Sequence, residues 1–288
     1  MPSPAGLEIT DRIRTAVITA FFSVDALYDK LALKGGNALR LVYAIQHRTS
    51  LDLDFSLEGD LLDLVATRAA LFAALHDRLD SAGFHVFDQK LAPRPAIATG
   101  TWGGYRLEFK VIAHADHARL GGDLAQLRRQ GIAFDPKQAR TWTADISKFE
   151  HCTGKVRREI DDHPIFVYTP EMIVIEKLRA LCQQLPGYPH RGRSTPRARD
   201  FYDIHEVLQE LILPADLKTS KSIALARAIF AIKQVPLTLL PQLQGTRDFH
   251  APDWPSVSQS IVGRRDPFDV YFDFVIRLVE ELEQVWMV

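Results

Sequence analysis

Residues 51 to 55, Leu51-Asp52-Leu53-Asp54-Phe55, alternate apolar and acidic side chains without a break, the period-2 pattern of a strand with one dry face. In that conformation Leu51, Leu53 and Phe55 share one face, while Asp52 and Asp54 point together from the other, roughly 6–7 Å apart along the strand. Aspartate is a poor strand former, so two of them on one strand need a reason. One reason is a solvated polar face on an amphipathic strand. The other is a pair of ligands for hard divalent cations about 3.5–4 Å apart.

The acidic run has a partner upstream. Leu31-Ala32-Leu33 reads as a short buried strand, Gly35-Gly36 as a turn and Asn37 to Ile45 as a helix. Two glycines between a strand and a helix are either a tight turn that binds nothing or a place where backbone amides approach an anion closely. Arg48 and Ser50, just before the aspartates, are candidates for charge-assisted and neutral hydrogen bonds to phosphate, and Arg48 equally for a structural ion pair. Glu108, in the alternating run Tyr105 to Val111, is a candidate third carboxylate on a neighbouring strand, with a solvent-facing glutamate as the alternative. His114 and His117 bracket Asp116, but without a further ligand at a recognisable spacing they read as a loop.

Around this unit the pattern predicts helices over Ile9 to Tyr28 and Leu61 to Ala82, and strands near Phe84 to Leu91, Ala96 to Thr99, Tyr105 to Ile112 and Ile165 to Tyr168. Pro170 fits the first turn of a helix reaching about Leu185. Further helices are expected at Pro196 to Leu211, Ala215 to Ile232 and Pro267 to Trp286. The expected class is α+β: a mixed-sheet domain over residues 1–165 and a mainly helical domain over 166–288.

With 35 Lys and Arg against 36 Asp and Glu, the chain carries a formal net charge of −1, so affinity for a polyanion has to come from local patches. Arg191, Arg193, Arg197 and Arg199 lie in one such stretch; Lys155-Val156-Arg157-Arg158 is a second, more ordinary one. The two cysteines, Cys152 and Cys182, match no disulfide framework or zinc motif, and a reducing, cytoplasmic setting is the expectation. No signal-like or membrane-spanning run is evident.

Lys34-Gly35-Gly36-Asn37 followed by Asp52-Leu53-Asp54 resembles the DNA polymerase β nucleotidyltransferase superfamily, whose pattern is a glycine pair before a helix and an Asp-any-Asp pair on the next strand. Glu176-Lys177-Leu178-Arg179-Ala180 and Arg199-Asp200-Phe201-Tyr202-Asp203-Ile204 narrow the resemblance to the AbiEii/AbiGii toxin family and MenT-like toxins, over about residues 30 to 205. It implies a nucleotidyltransferase toxin of a toxin–antitoxin system. Its expected ion is Mg2+, with Mn2+ as a substitute, and it moves a nucleoside monophosphate from an NTP onto an RNA 3′ end, with tRNA as the expected acceptor. The resemblance gives active-site roles to Lys177 and Asp200, and with the residue reading above the expected site has Asp52 and Asp54 as catalytic residues, Asp52, Asp54 and Glu108 as the metal site, and Lys34, Gly35, Gly36, Arg48 and Ser50 as nucleotide contacts. Lys177 would face the triphosphate, and Asp200 would accept the hydroxyl proton or position the acceptor. Relatives commonly carry threonine or serine where this chain has Asn37. Modification of a protein or small molecule, and a noncatalytic module binding RNA or an antitoxin, are the rival expectations.

Overall fold

The computed structural model describes residues 4–45, 53–99, 102–133, 139–190, 192–263 and 265–287; Arg48, Ser50, Asp52 and Arg191 therefore lie outside the described residues. Seven strands form one mixed sheet among the described residues: β1 Leu31–Lys34, β2 Leu53–Leu57, β3 Phe84–Thr99, β4 Trp102–Ala113, β5 Trp142–Ser147, β6 Val156–Ile160 and β7 His163–Val167. Their order across the sheet is β3-β4-β5-β2-β1-β7-β6. β1 runs antiparallel to β2, while β2 and β5 are parallel.

Helices α1 (Pro4–Phe22) and α2 (Leu64–Ser81) pack with this sheet. Asp63 caps α2 by accepting the Ala66 N–H at 2.9 Å, which satisfies a donor that the first turn cannot. Leu71, Leu75 and Leu79 repeat every fourth residue along α2, and all three are fully buried, the stripe that holds a helix on a core. Phe21 of α1 lies against Phe55 of β2, ring centres 4.3 Å apart. The apolar face of the alternating run thus anchors β2, and its period of two leaves Asp54 on the opposite, half-exposed face.

The chain divides into two compact units, one of Met1–Asn37, Leu51–Cys152 and Val156–Val167, the other of Ala38–Ser50, Thr153–Lys155 and Tyr168–Val288. The second unit therefore takes in a segment between the glycine turn and the acidic strand, which a single boundary at 165 does not anticipate. Its main helices are α3 (Pro170–Cys182), α4 (Ala198–Glu210), α5 (Ser220–Ile232) and α6 (Phe268–Trp286). Thr169 caps α3 by accepting the Met172 N–H at 3.3 Å, directly ahead of Pro170. Tyr271, Val275, Leu278, Leu282 and Trp286 form the buried stripe of α6. The Trp286 indole N–H donates to the Leu217 carbonyl at 2.9 Å.

Several elements differ from the sequence expectation. The first helix stops at Phe22 and resumes as Asp25–Tyr28. The helix expected over 37–45 is present with other bounds: a short α-helical segment, Gly35–Asn37, continues as a π-helix, Ala38–Val42. Strands β5 and β6 were not anticipated, and His114–Arg119 is a short helix rather than a loop. The helix expected from Ala215 begins instead at Ser220, where Thr219 accepts the Ser222 N–H at 3.2 Å. Among the described residues no single helix is long and apolar enough to cross a membrane. Cys152 and Cys182 are both buried, and neither is in a disulfide.

Candidate active site

Lys34, the last residue of β1, stands opposite Asp54 of β2 in the antiparallel ladder, so the turn that follows β1 comes back over the Asp54 carboxylate. Gly35 adopts φ +68°, and a Cβ there would sit 2.9 Å from Asp54 Oδ2. Glycine suits the position on two counts: a left-handed backbone, and a Cβ that would push the Asp54 carboxylate aside. Asn37 is fully buried and Lys34 is 8 % exposed. The Lys34 ammonium lies 3.9 Å from a Glu150 carboxylate oxygen.

On the other side of β2, Asp54 pairs in register with Asp145 of β5. Adjoining strands are about 4.8 Å apart, so two carboxylates rise side by side from the same face. Asp145 in turn pairs with Arg106 of β4, and the guanidinium holds it with two bonds, Nε to Oδ1 at 2.7 Å and Nη2 to Oδ2 at 2.5 Å. Arg94 of β3 brings a second guanidinium to 3.8 Å. Near the far end of this ladder, a Cβ on Gly104 would sit 1.9 Å from the Ile146 carbonyl oxygen, so glycine alone lets β4 approach β5 so closely there. Glu108 is two strands from Asp54, about 10 Å at ordinary strand spacing. It pairs with Thr143, and its carboxylate lies 4.0 Å from Lys90.

The fit to a hard divalent cation can be judged from the donor set. Carboxylate oxygens on adjoining strands are the ligands such ions take, the glycine turn keeps the space beside Asp54 clear, and a guanidinium already stands as cation on Asp145. The described residues supply a pair of carboxylates here rather than a complete ligand set: none of their groups of three or more His, Cys, Asp or Glu side chains could hold a metal ion. Asp52, the other half of the acidic pair, is outside them. The residues fit the ion as far as they are described.

The helical unit carries its own cluster. Lys177 of α3 is 6 % exposed, and its ammonium bonds Asp200 Oδ1 at 2.8 Å and Asp203 Oδ2 at 2.6 Å. Asp200 and Asp203 sit three apart on α4, the spacing that puts both on one helix face. Arg197 Nε donates to Asp200 Oδ2 at 2.5 Å. Burial pushes the Asp200 carboxyl up, but the Arg197 and Lys177 charges together outweigh it and hold the group well below the usual carboxylate range. His250 is fully buried, and its Nδ1 accepts the Arg197 backbone N–H at 3.0 Å. Burial lowers the imidazole to about 4, with Asp200 opposing and Arg197 reinforcing the shift.

Of the arginines singled out for RNA, Arg193 is exposed, Arg197 is engaged with Asp200, and Arg199 reaches Ser260 Oγ at 3.4 Å. The Lys155 to Arg158 run is largely edge strand β6, where charge protects an open sheet edge. His114 lies 3.1 Å from Asp80, and His117 stacks on His85 with ring centres 3.9 Å apart.

Asp145, Arg106, Asp203 and His250 were not singled out from sequence. Asp145 had a signal: Trp142-Thr143-Ala144-Asp145-Ile146-Ser147 alternates strictly, and its apolar members are buried. Asp203 had one in its spacing from Asp200. His250 had none, since a lone histidine in a polar loop is unremarkable in sequence.

A family model described as the nucleotidyl transferase AbiEii toxin of a type IV toxin–antitoxin system matches residues 17–274. Among solved structures, JHP933 from Helicobacter pylori aligns with a TM-score of 0.51 and 15% identity, over 100% of this chain and 95% of that one. A second H. pylori protein, provisionally named a nucleotidyltransferase, aligns at 0.48 and 16%, over 98% and 99%. An antigenic nucleotidyltransferase-like protein from Paracoccidioides brasiliensis aligns at 0.40 and 16%, over 90% and 97%. No curated protein sequence matches the chain.

Proposed function

The chain belongs to the AbiEii family of nucleotidyltransferase toxins of type IV toxin–antitoxin systems, and from that premise we propose that it adds a nucleoside monophosphate to an RNA 3′ end, with tRNA as the acceptor and magnesium as the ion. Membership makes it a nucleotidyltransferase, with a nucleotide substrate and an antitoxin as its counterpart. The observation that carries the finer reading is Asp54: half-exposed on a strand, two residues after Asp52 in sequence, with Gly35 set against its carboxylate.

In the proposed step the RNA 3′ oxygen attacks the α-phosphorus in line, the bond from that phosphorus to the bridging oxygen breaks, and pyrophosphate leaves with the bonding electrons. The divalent ion, when bound on Asp52 and Asp54, neutralises phosphate charge and lowers the pKa of the attacking hydroxyl. Gly35 and Gly36 let the backbone approach the triphosphate, with Lys34, Arg48 and Ser50 as further nucleotide contacts. Glu108, farther along the sheet, contributes to the field around the ion rather than to its first contacts.

Lys177 and Asp200 are proposed to serve the same reaction. Of the two roles open to Asp200, positioning is favoured over proton acceptance, because a carboxylate held well below its usual range by two cations is a weak base. Arg191, Arg193 and Arg199 are proposed to contact the RNA backbone, and Arg197 divides its guanidinium with Asp200.

The test is incubation of the purified protein with each α-labelled NTP, magnesium and total cellular RNA, comparing wild type with Asp54→Ala and Lys177→Ala. Label on RNA that both variants lose supports the reading, provided that their melting profiles show folded protein. Label on protein or on a small molecule selects a different acceptor, and RNA binding with no transfer selects a binding module.

A further inference from the structure

The charged face of the sheet continues outward from Asp54 across β5 and β4 to β3, the strand at its edge. Residues directly opposite on paired strands share a face. The ladder therefore sets Lys90 beside Glu108 and Arg94 beside Gly104, and joins Arg106 through Asp145 to Asp54 in one row. Along this face cations outnumber carboxylates. Asp145 is shared by Arg106 and Arg94. Asp88 is shared in the same way: Arg128 of the short helix Leu124–Gln130 holds it with bonds of 2.7 and 2.8 Å, and Lys110 lies 3.4 Å away. Lys90 meets Glu108 at 4.0 Å. Each shared carboxylate offsets one of its two cations, so five cations stand against three carboxylates here, on a chain whose formal net charge is −1. Trp102, the first residue of β4, is more than half exposed, and so are the side chains of Lys90 and Arg94.

We infer that this face of β3 and β4 is a binding surface for single-stranded RNA, the track on which the acceptor strand lies: phosphates meet Lys90 and Arg94, and a base stacks on the Trp102 indole. A positive surface that follows the backbone, with an aromatic ring for the bases, is the combination that holds single strands without reading their sequence. Exposed ion pairs are worth little singly, so a phosphate can share these cations at small cost. An acidic protein would meet the same charges, and the exposed indole is what favours a base over it. The inference rests on the transfer reading for RNA being the acceptor, and it adds the surface that carries the strand towards Asp54.

The experiment is fluorescence anisotropy of a short, unstructured, end-labelled RNA titrated with the full chain at stepped salt concentrations. NTP is left out and EDTA added, so that binding is read apart from transfer. The double variant Lys90→Gln, Arg94→Gln is expected to lower the slope of log Kd against log salt by about 1.4, roughly 0.7 for each of two phosphates released. Trp102→Ala is expected to weaken binding about tenfold with the slope unchanged, and Trp102→Phe, which keeps an aromatic face, to stay within about threefold of wild type. All three positions are exposed, and matched melting temperatures check that the fold is kept. A wild-type slope in the double variant overturns the inference, and so does wild-type affinity in Trp102→Ala. Polyglutamate displacing the RNA at equal charge overturns it in favour of an acidic protein. No RNA binding by wild type overturns it too, while label transferred to RNA in the NTP assay would keep the transfer reading standing. Binding that depends on these residues in a protein that transfers no label upholds the surface and removes the transfer reading.

Discussion

The two charged clusters of this molecule use similar groups in opposite ways. On the sheet, Asp145 and Arg106 are 35 and 31 % exposed, and Asp54 is likewise half open. In the helical unit, Lys177, Asp200 and Asp203 are 7, 7 and 1 % exposed in their side chains. An exposed carboxylate can trade a protein partner for an ion or a phosphate-bound cation at small desolvation cost. A buried one cannot lose its partner without leaving a bare charge in a medium that solvates it poorly. The sheet cluster is thus built to exchange partners, and the helical cluster to hold them.

Four measurements bear on that contrast. The largest effect belongs to the helical cluster: Lys177→Ala takes the cation shared by two buried carboxylates, Asp200 keeping Arg197, and is expected to cost about 3–5 kcal/mol of stability, read by urea unfolding. A loss below 1 kcal/mol would show the cluster to be as open as the sheet. For this reason an inactive Lys177→Ala is informative about transfer only alongside its unfolding curve.

Gly35→Ala comes next, and its effect falls on activity. The new Cβ meets Asp54 Oδ2 at 2.9 Å with the backbone at φ +68°, and transfer is expected to drop about 100-fold, equivalent to ~2.7 kcal/mol in the barrier. Unchanged transfer would mean that the turn and the carboxylate have no common task.

His250 gives the helical cluster a signature in pH. Its folded pKa, lowered by burial to about 4, lies below the ordinary 6.5 of an unfolded histidine, so the unfolded chain takes the proton first. Stability contributed by the neutral imidazole is full above pH 6.5 and is lost as pH falls towards 4, by about 2 kcal/mol between pH 6.5 and 5. Asp200, whose carboxyl is held below its usual range, adds a separate loss that begins only below the ordinary aspartate value. Unfolding curves at stepped pH check this, and His250→Gln is expected to flatten the upper part of the slope. A slope that survives in the variant assigns the effect to other groups.

The smallest effect is expected at Glu108, exposed at the side chain by 39 % and 4.0 Å from Lys90. Glu108→Gln should change stability by less than about 0.5 kcal/mol and alter transfer by less than about threefold. A hundredfold loss would move Glu108 into direct contact with the ion.

What sequence made legible follows the range of the interactions. Gly35 and the Asp52–Asp54 alternation are local patterns, and β2 and the turn over Asp54 stand where those patterns put them. Asp145 becomes a neighbour of Asp54 only because β5 joins β2 in parallel from about 90 residues away, a pairing that no local period encodes. Its alternating run carried a strand signal that the sequence reading passed over; only topology marked the carboxylate. Glu108 was singled out on the right kind of pattern but on β4, one strand too far for direct contact with Asp54. In the helical unit Lys177 and Asp200 came from resemblance, while their burial, and the part of Asp203 in it, came from two helices meeting.

The proposed transfer depends on the Asp54 carboxylate. Asp54→Asn keeps the size and shape of the side chain and removes its charge, so α-labelled NTP assays on wild type and variant, matched for melting temperature, address it directly. The expected result is loss of label on RNA by at least about a thousandfold with the fold intact. Transfer at the wild-type rate from a folded Asp54→Asn protein would contradict the account.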